Sequence, residues 1–199
     1  NRMAEKLEKE FAAEAETAQW LQAKAFKDPI SGLGNRNFYE SQATAHFADT
    51  DRTMDGLMLV SLADLAKLNN ERGYEAADTF IRSASQVLQE EITKSASSAT
   101  VARLSGADFV ALLPHVDLDL LSKVTENTME RLLELVASRI TYADAVANIG
   151  AVVIDETVDK SKAMAQADAA LRAAKTAGSN QVKVFDQDMG QQMAIGRLA

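Results

Sequence analysis

At 199 residues the chain is the size of one ordinary domain plus an extra element, long enough to bury a substantial core. Hydrophobic residues at 47% and charged residues at 25% exclude a disordered segment, and the absence of Cys excludes disulfides and thiolate metal sites. The net charge of -8 argues against a nucleic-acid partner, because neutralising phosphates needs a basic face. No apolar run approaches the ~20 residues of a membrane span, and no signal-peptide pattern opens the chain. Direct membrane contact by this piece is therefore not expected. Asn1 opens inside a helical pattern and Ala199 closes without a stop signal, which reads as part of a larger protein.

Residues 1–26 hold no Gly or Pro and are rich in Ala, Glu, Lys and Gln, which predicts one long helix. At 1.5 Å per residue it would reach roughly 40 Å. Leu7, Phe11, Ala18, Leu21 and Ala25 form a heptad seam, interrupted by Glu14. A seam so narrow suits pairing with a second copy or an adjoining helix. The competing reading is a helix folded back onto its own domain.

Pro29 disfavours helical geometry at Asp28, so the helix is expected to stop near Lys27. A loop with turn chemistry follows at 28–34, then a helix over about 35–47. The apolar run 56–62 reads as a buried strand. Two helices, about 64–71 and 75–94, flank Gly73, with Asp64 read as an N-cap. Residues 100–104 and 108–113 predict a hairpin turning at Ser105-Gly106. An amphipathic helix spans about 117–137, strands are expected at 140–142 and 147–154, and an Ala-rich helix at 160–176 ends at Gly178. A last strand covers 181–185, and the polar tail 186–199 reads as a linker toward a following domain. This order predicts an α+β domain with helices covering a mainly antiparallel sheet. His46 and His115 have no partner at ligand spacing and read as structural.

Four segments then resemble the GGDEF family of diguanylate cyclases, in the family's order. Asp28-Pro29-Ile30-Ser31-Gly32-Leu33-Gly34-Asn35-Arg36-Asn37-Phe38 is similar to its opening D-x-L-T-G-L-x-N-R-x-x-F. The run Asn69 to Asp78, with Gly73 and Tyr74 between, resembles N-D-x-x-G-H-x-x-G-D. Arg103-Leu104-Ser105-Gly106-Ala107-Asp108-Phe109 aligns on the signature R-x-G-G-D/E-E-F. Ala167-Asp168 through Lys175, Gly178 and Asn180 resembles A-D-x-A-L-Y-x-A-K-x-x-G-R-N. The resemblance covers about residues 27–185 and implies a nucleotidyl-cyclase-like palm fold, preceded here by a signalling helix at 1–26.

The family condenses two GTP molecules with Mg²⁺, a hard cation that seeks carboxylate oxygen. The resemblance places its two acidic metal positions on Ser61 and Ala107, a hydroxyl and a methyl group. Ser105 replaces the first signature Gly, and Ser179 replaces a phosphate-facing Arg. The product-inhibition motif R-x-x-D falls on Ala96 and Ala99. Asn69 and Asp78 match the guanine-reading pair and Lys175 a phosphate-facing Lys, so the nucleotide site is vestigial. Each has a plainer reading: Asn69 bridges the turn before Gly73, while Asp78 and Lys175 complement helix dipoles.

The resemblance thus implies a catalytically inactive GGDEF domain, without metal or cofactor, in a cyclic di-GMP receptor of the LapD type. Cyclic di-GMP would bind an EAL domain outside this chain. Implied partners are a second copy through the N-terminal helix, adjoining HAMP-like and EAL domains, and a diguanylate cyclase. The implied location is the cytoplasmic face of the bacterial inner membrane. The alternatives are a non-catalytic GTP sensor that activates an attached phosphodiesterase, or an enzyme with unorthodox metal ligands.

Overall fold

A computed structural model describes residues 1–185. The expected linker at 186–199 lies outside the described residues. The element order is α1 (Arg2–Phe26), α2 (Arg36–Ala48), β1 (Asp55–Leu62), α3 (Leu65–Arg72), α4 (Tyr74–Ser95), β2 (Thr100–Ser105), β3 (Asp108–Leu113), α5 (Leu118–Ala137), β4 (Ala147–Ile154), α6 (Lys160–Ala177) and β5 (Val182–Phe185). No helix among the described residues is long and apolar enough to cross a membrane.

The five strands form one sheet in the order β2-β3-β1-β4-β5. The β2–β3, β3–β1 and β1–β4 pairs are antiparallel, and β4–β5 is parallel. β1 and β4 are buried along their whole length, which explains why both read as continuous apolar runs. Their alternate side chains feed two cores. Met58, Val60 and Leu62 pack with Leu68, Phe80, Leu88 and Leu121 of α3, α4 and α5. Leu57 and Leu59 pack with Tyr39 and Ala43 of α2 and Ala163, Ala167 and Leu171 of α6. The sheet is therefore sandwiched between helical layers. Gly150 lets α6 lie directly on β4: a Cβ there would fall 2.1 Å from the Leu171 amide nitrogen.

α1 stands apart, with no buried residue along its 25 positions. Only its last turns meet the domain, and the following loop receives them. Asn35 Nδ2 donates to the Ala25 carbonyl at 3.0 Å and the Asn35 amide to the Phe26 carbonyl at 2.9 Å, so carbonyls that the helix end leaves open are satisfied. Asn35 also caps α2, its side chain accepting from the Phe38 amide at 3.0 Å.

Two expectations need correction. The 140–142 segment is not a strand: Arg139 and Ala143 take left-handed backbone angles and turn the chain there. Asp64 occupies the N-cap position of α3 but makes no capping bond; its own backbone is left-handed (φ 51°) and its carboxylate bonds Lys67 Nζ at 2.9 Å instead. His46, with no partner at ligand spacing in the sequence, gains a structural one through the fold. Its Nε2 lies 2.8 Å from Oδ2 of Asp55, nine residues away, because α2 and β1 are neighbours in the fold.

Candidate functional site

The signature turn and the end of β1 meet at one end of the sheet. Ser61 lies directly opposite Asp108 on β3 and Asn148 on β4, and the Leu62 amide donates to the Ala107 carbonyl at 2.9 Å. The two positions expected to carry metal ligands are thus adjacent. What they present is a buried hydroxyl at Ser61 and, at Ala107, a methyl group packed against the larger core. Opposed residues share a face, so Asp108, Ser61 and Asn148 form one polar row across three strands. Asn148 is already engaged, donating to the Gly178 carbonyl at 2.7 Å. One carboxylate, one hydroxyl and one committed amide do not fit a Mg²⁺–triphosphate, which needs anionic oxygens to offset its charge. No group of three or more His, Asp or Glu side chains placed to hold a metal occurs among the described residues.

The turn itself is held from behind by Arg103. Its Nε and NH2 donate to the Gly106 carbonyl at 2.9 and 2.8 Å, and its NH1 reaches both carboxylate oxygens of Asp28 at 3.1 Å. Asp28 is the residue where the chain leaves α1, so the loop after the long helix is tied to the signature turn. Partial burial pushes the Asp28 carboxyl up, but bonds from the Ser31 amide and hydroxyl and from Arg103 outweigh it and hold the group below its ordinary 3.8. A polar cleft of about 260 Å³ lies here between Asp28, Asn35, Arg36, Asn37 and the 103–106 turn. Both Asp28 and Arg103 sit at fixed places in the two motifs; their mutual contact was the signal the motifs alone did not reveal.

Asn69 projects from α3. Its side-chain oxygen is buried and accepts no hydrogen bond, while its backbone carbonyl receives the Gly73 amide at 2.8 Å. The turn is therefore bridged by the main chain and not by the Asn69 side chain. Gly73, at φ 84°, joins α3 to α4 in a single residue, and Asp78 lies half-buried one turn into α4. Lys175 is exposed in the last turn of α6, three residues before Gly178, whose carbonyl Asn148 holds. The topology thus brings Ser61, Ala107, Asn69 and Lys175 to one end of the sheet. The seam residues Leu7, Phe11, Ala18 and Leu21 stand far from it in sequence, exposed on α1.

At the opposite end, Asp55 is fully buried. It accepts from Arg52 NH1 at 3.1 Å, bonds His46 Nε2, and accepts from the His115 amide at 3.1 Å. Arg52 also donates to the carbonyls of Glu156 and Val158 and stacks on Phe47. This cluster ties together loops around β1, β3 and β4 and has no part in the site above.

The protein-family model for "Diguanylate cyclase, GGDEF domain" matches residues 25–181. The chain is 27% identical over 166 residues to a protein of Escherichia coli named probable diguanylate cyclase DgcT, covering 81% of this chain and 36% of that one. It superposes with a TM-score of 0.77 and 26% identity on a Vibrio cholerae LapD structure comprising S helix, GGDEF and EAL, bound to c-di-GMP, covering 89% of this chain and 41% of that one. The coiled coil and GGDEF domain of DgcB from Caulobacter crescentus also superposes at 0.77, with 21% identity and coverage of 92% and 97%, a likeness of fold. The chain spans about a third of the length of DgcT and less than half of the LapD chain. With its family match reaching across most of its length, and a long helix preceding the domain, the chain belongs to the GGDEF diguanylate cyclase domain family.

Proposed function

We propose that this GGDEF domain is a non-catalytic regulatory module that passes a conformational signal from α1 to domains beyond this chain. The observation that carries this reading is that positions 61 and 107, brought to the same end of the β1–β3 pair, hold a hydroxyl and a methyl group, which leaves Asp108 opposite Ser61 as the one carboxylate of that row. Without carboxylates at both positions, the triphosphate charge has no counter-ion clamp, and the reaction loses the electrostatic stabilisation on which such transfers depend. The likeness to LapD supports a tandem arrangement in which an EAL domain, outside this chain, binds cyclic di-GMP at the cytoplasmic face of an inner membrane. The domain boundaries we assign are a signalling helix at 1–26, the GGDEF domain at 27–185 and a linker at 186–199.

Signal transmission by α1 rests on its faces. Gln19, Gln22, Ala23 and Phe26 turn toward α2 and line the cleft against Phe38 and Gln42. Leu7, Phe11 and Leu21 lie on another face and remain 51%, 64% and 55% exposed. An apolar seam left exposed by the described residues of its own domain favours a second copy or an adjoining HAMP-like helix as the partner. A diguanylate cyclase is a further candidate partner.

A second reading is favoured by one feature. The buried Asn69 oxygen, without a hydrogen-bond partner among the described residues, is what a site reading a guanine edge would leave open, so a GTP sensor without turnover is the alternative. Calorimetric titration with GTP, with and without Mg²⁺, together with a product assay, separates the two. The primary reading expects neither heat nor product; binding without turnover selects the sensor, and cyclic di-GMP formed by the pure protein overturns both. Cyclic di-GMP itself is expected not to bind around Ala96 and Ala99, whose methyl groups offer no hydrogen bonds.

A further inference from the structure

We infer that residues 138–146, between α5 and β4, form a strap that clamps α3 and couples it to the turn leading into β5. α3 needs such help. It has eight residues, one buried side chain (Leu68), and no side-chain cap at its N-terminus. A helix this short is not stable by itself in water.

The strap supplies the missing contacts. The Tyr142 hydroxyl donates to Glu71 at 3.1 Å, and Arg72 NH1 donates to the Arg139 carbonyl at 2.8 Å. Lys67, tied to Asp64, lies 5.6 Å from the Tyr142 ring centroid. On its other side the strap is gripped by Asn180, whose Oδ1 accepts from the Val146 amide and whose Nδ2 donates to the Asp144 carbonyl, both at 2.8 Å. Two residues after Asn180 the chain enters β5.

Backbone strain gathers at the same place. Of five non-glycine residues with positive φ among those described, four belong to this assembly: Asp64, Arg139, Ala143 and Asn180. Left-handed geometry is disfavoured for residues with a Cβ, most of all for Arg139 and Ala143, and persists only where surrounding contacts hold it. Releasing the strap would relieve that strain while withdrawing support from α3. Two arrangements close in free energy are the requirement for a switch. Since α3 carries Asn69, an event at α3 would be felt at Asn180 and β5, and the reverse. The inference does not depend on whether GTP binds.

Hydrogen–deuterium exchange on the full chain tests it. Tyr142→Phe removes only the hydroxyl and should speed exchange of the α3 amides about tenfold while α4 stays protected. Asn180→Gly suits the local backbone, deletes both side-chain bonds, and does not touch α3. It should speed exchange in 143–147 and also in α3. Three results would each overturn the strap: unchanged α3 exchange in Tyr142→Phe, an effect of Asn180→Gly confined to its own surroundings, or acceleration spread equally over α4 and the sheet.

Discussion

A single guanidinium nitrogen of Arg103 lies 3.1 Å from both carboxylate oxygens of Asp28, across 75 residues of chain. Both side chains are largely withdrawn from water, at 10% and 16% exposure. The bond joins the exit of α1 to the signature turn, and four predictions follow the fold outward from it.

Asp28→Asn should cost about 1.5–3 kcal/mol at neutral pH, the range for hydrogen bonds to a charged group. The cost should depend on pH with a definite sign. The folded-state pKa of Asp28 lies below 3.8, so its contribution is fully present above the unfolded value and lost as pH falls through the folded one. Urea melts of parent and variant should differ at pH 7 and converge as pH falls through the folded-state pKa of Asp28. A difference that grows toward acid would show the sign to be wrong.

Asp55→Ala should be the more damaging change, at about 3–5 kcal/mol, because it leaves the buried Arg52 charge without its carboxylate. The loss should appear in the urea midpoint. A variant within 1 kcal/mol of the parent would mean that the Glu156 and Val158 carbonyls alone can hold the guanidinium.

Gly150→Ala tests the contact between α6 and β4. The added methyl would sit 2.4 Å from the Leu171 Cα and 2.7 Å from the Ala170 carbonyl carbon, and helix backbone has no rotamer by which to move aside. About 3 kcal/mol, the upper part of the overpacking range, is expected in thermal or urea unfolding. A neutral result would mean that α6 rides farther from the sheet.

Phe11→Glu and Leu21→Glu address the seam. Both residues are exposed in the isolated chain, so neither change should unfold the domain. If copies pair through α1, sedimentation of the parent should show a monomer–dimer equilibrium shifted toward monomer in each variant. A concentration-independent monomer for the parent protein would remove the second-copy partner.

Apart from the strand expected at 140–142, sequence alone was enough for the order of elements and most of their limits. The apolar run 56–62 announced β1 as a buried strand, 147–154 was expected as a strand, and Gly73, Pro29 and Gly178 marked breaks through their local backbone preferences. The four motifs sufficed to anticipate the family, and the identities of Ser61 and Ala107 are read directly from the chain. Local signals of this kind survive because they depend on neighbours within a few residues. Tertiary structure decided what depends on distant ones. It made Ile140–Tyr142 part of a turn flanked by the left-handed Arg139 and Ala143, since Tyr142 and Arg139 are drawn to α3 and no strand among the described residues pairs with them. It gave His46 a carboxylate partner in Asp55, turned Asp64 away from capping toward Lys67, and joined Arg103 to Asp28. It also brought Ser61 beside Ala107, which are 46 positions apart, because β1 and β3 are antiparallel neighbours. The physical reason is the same in each case: a side chain's charge and shape are local, but its partner is set by which backbones the two cores press together.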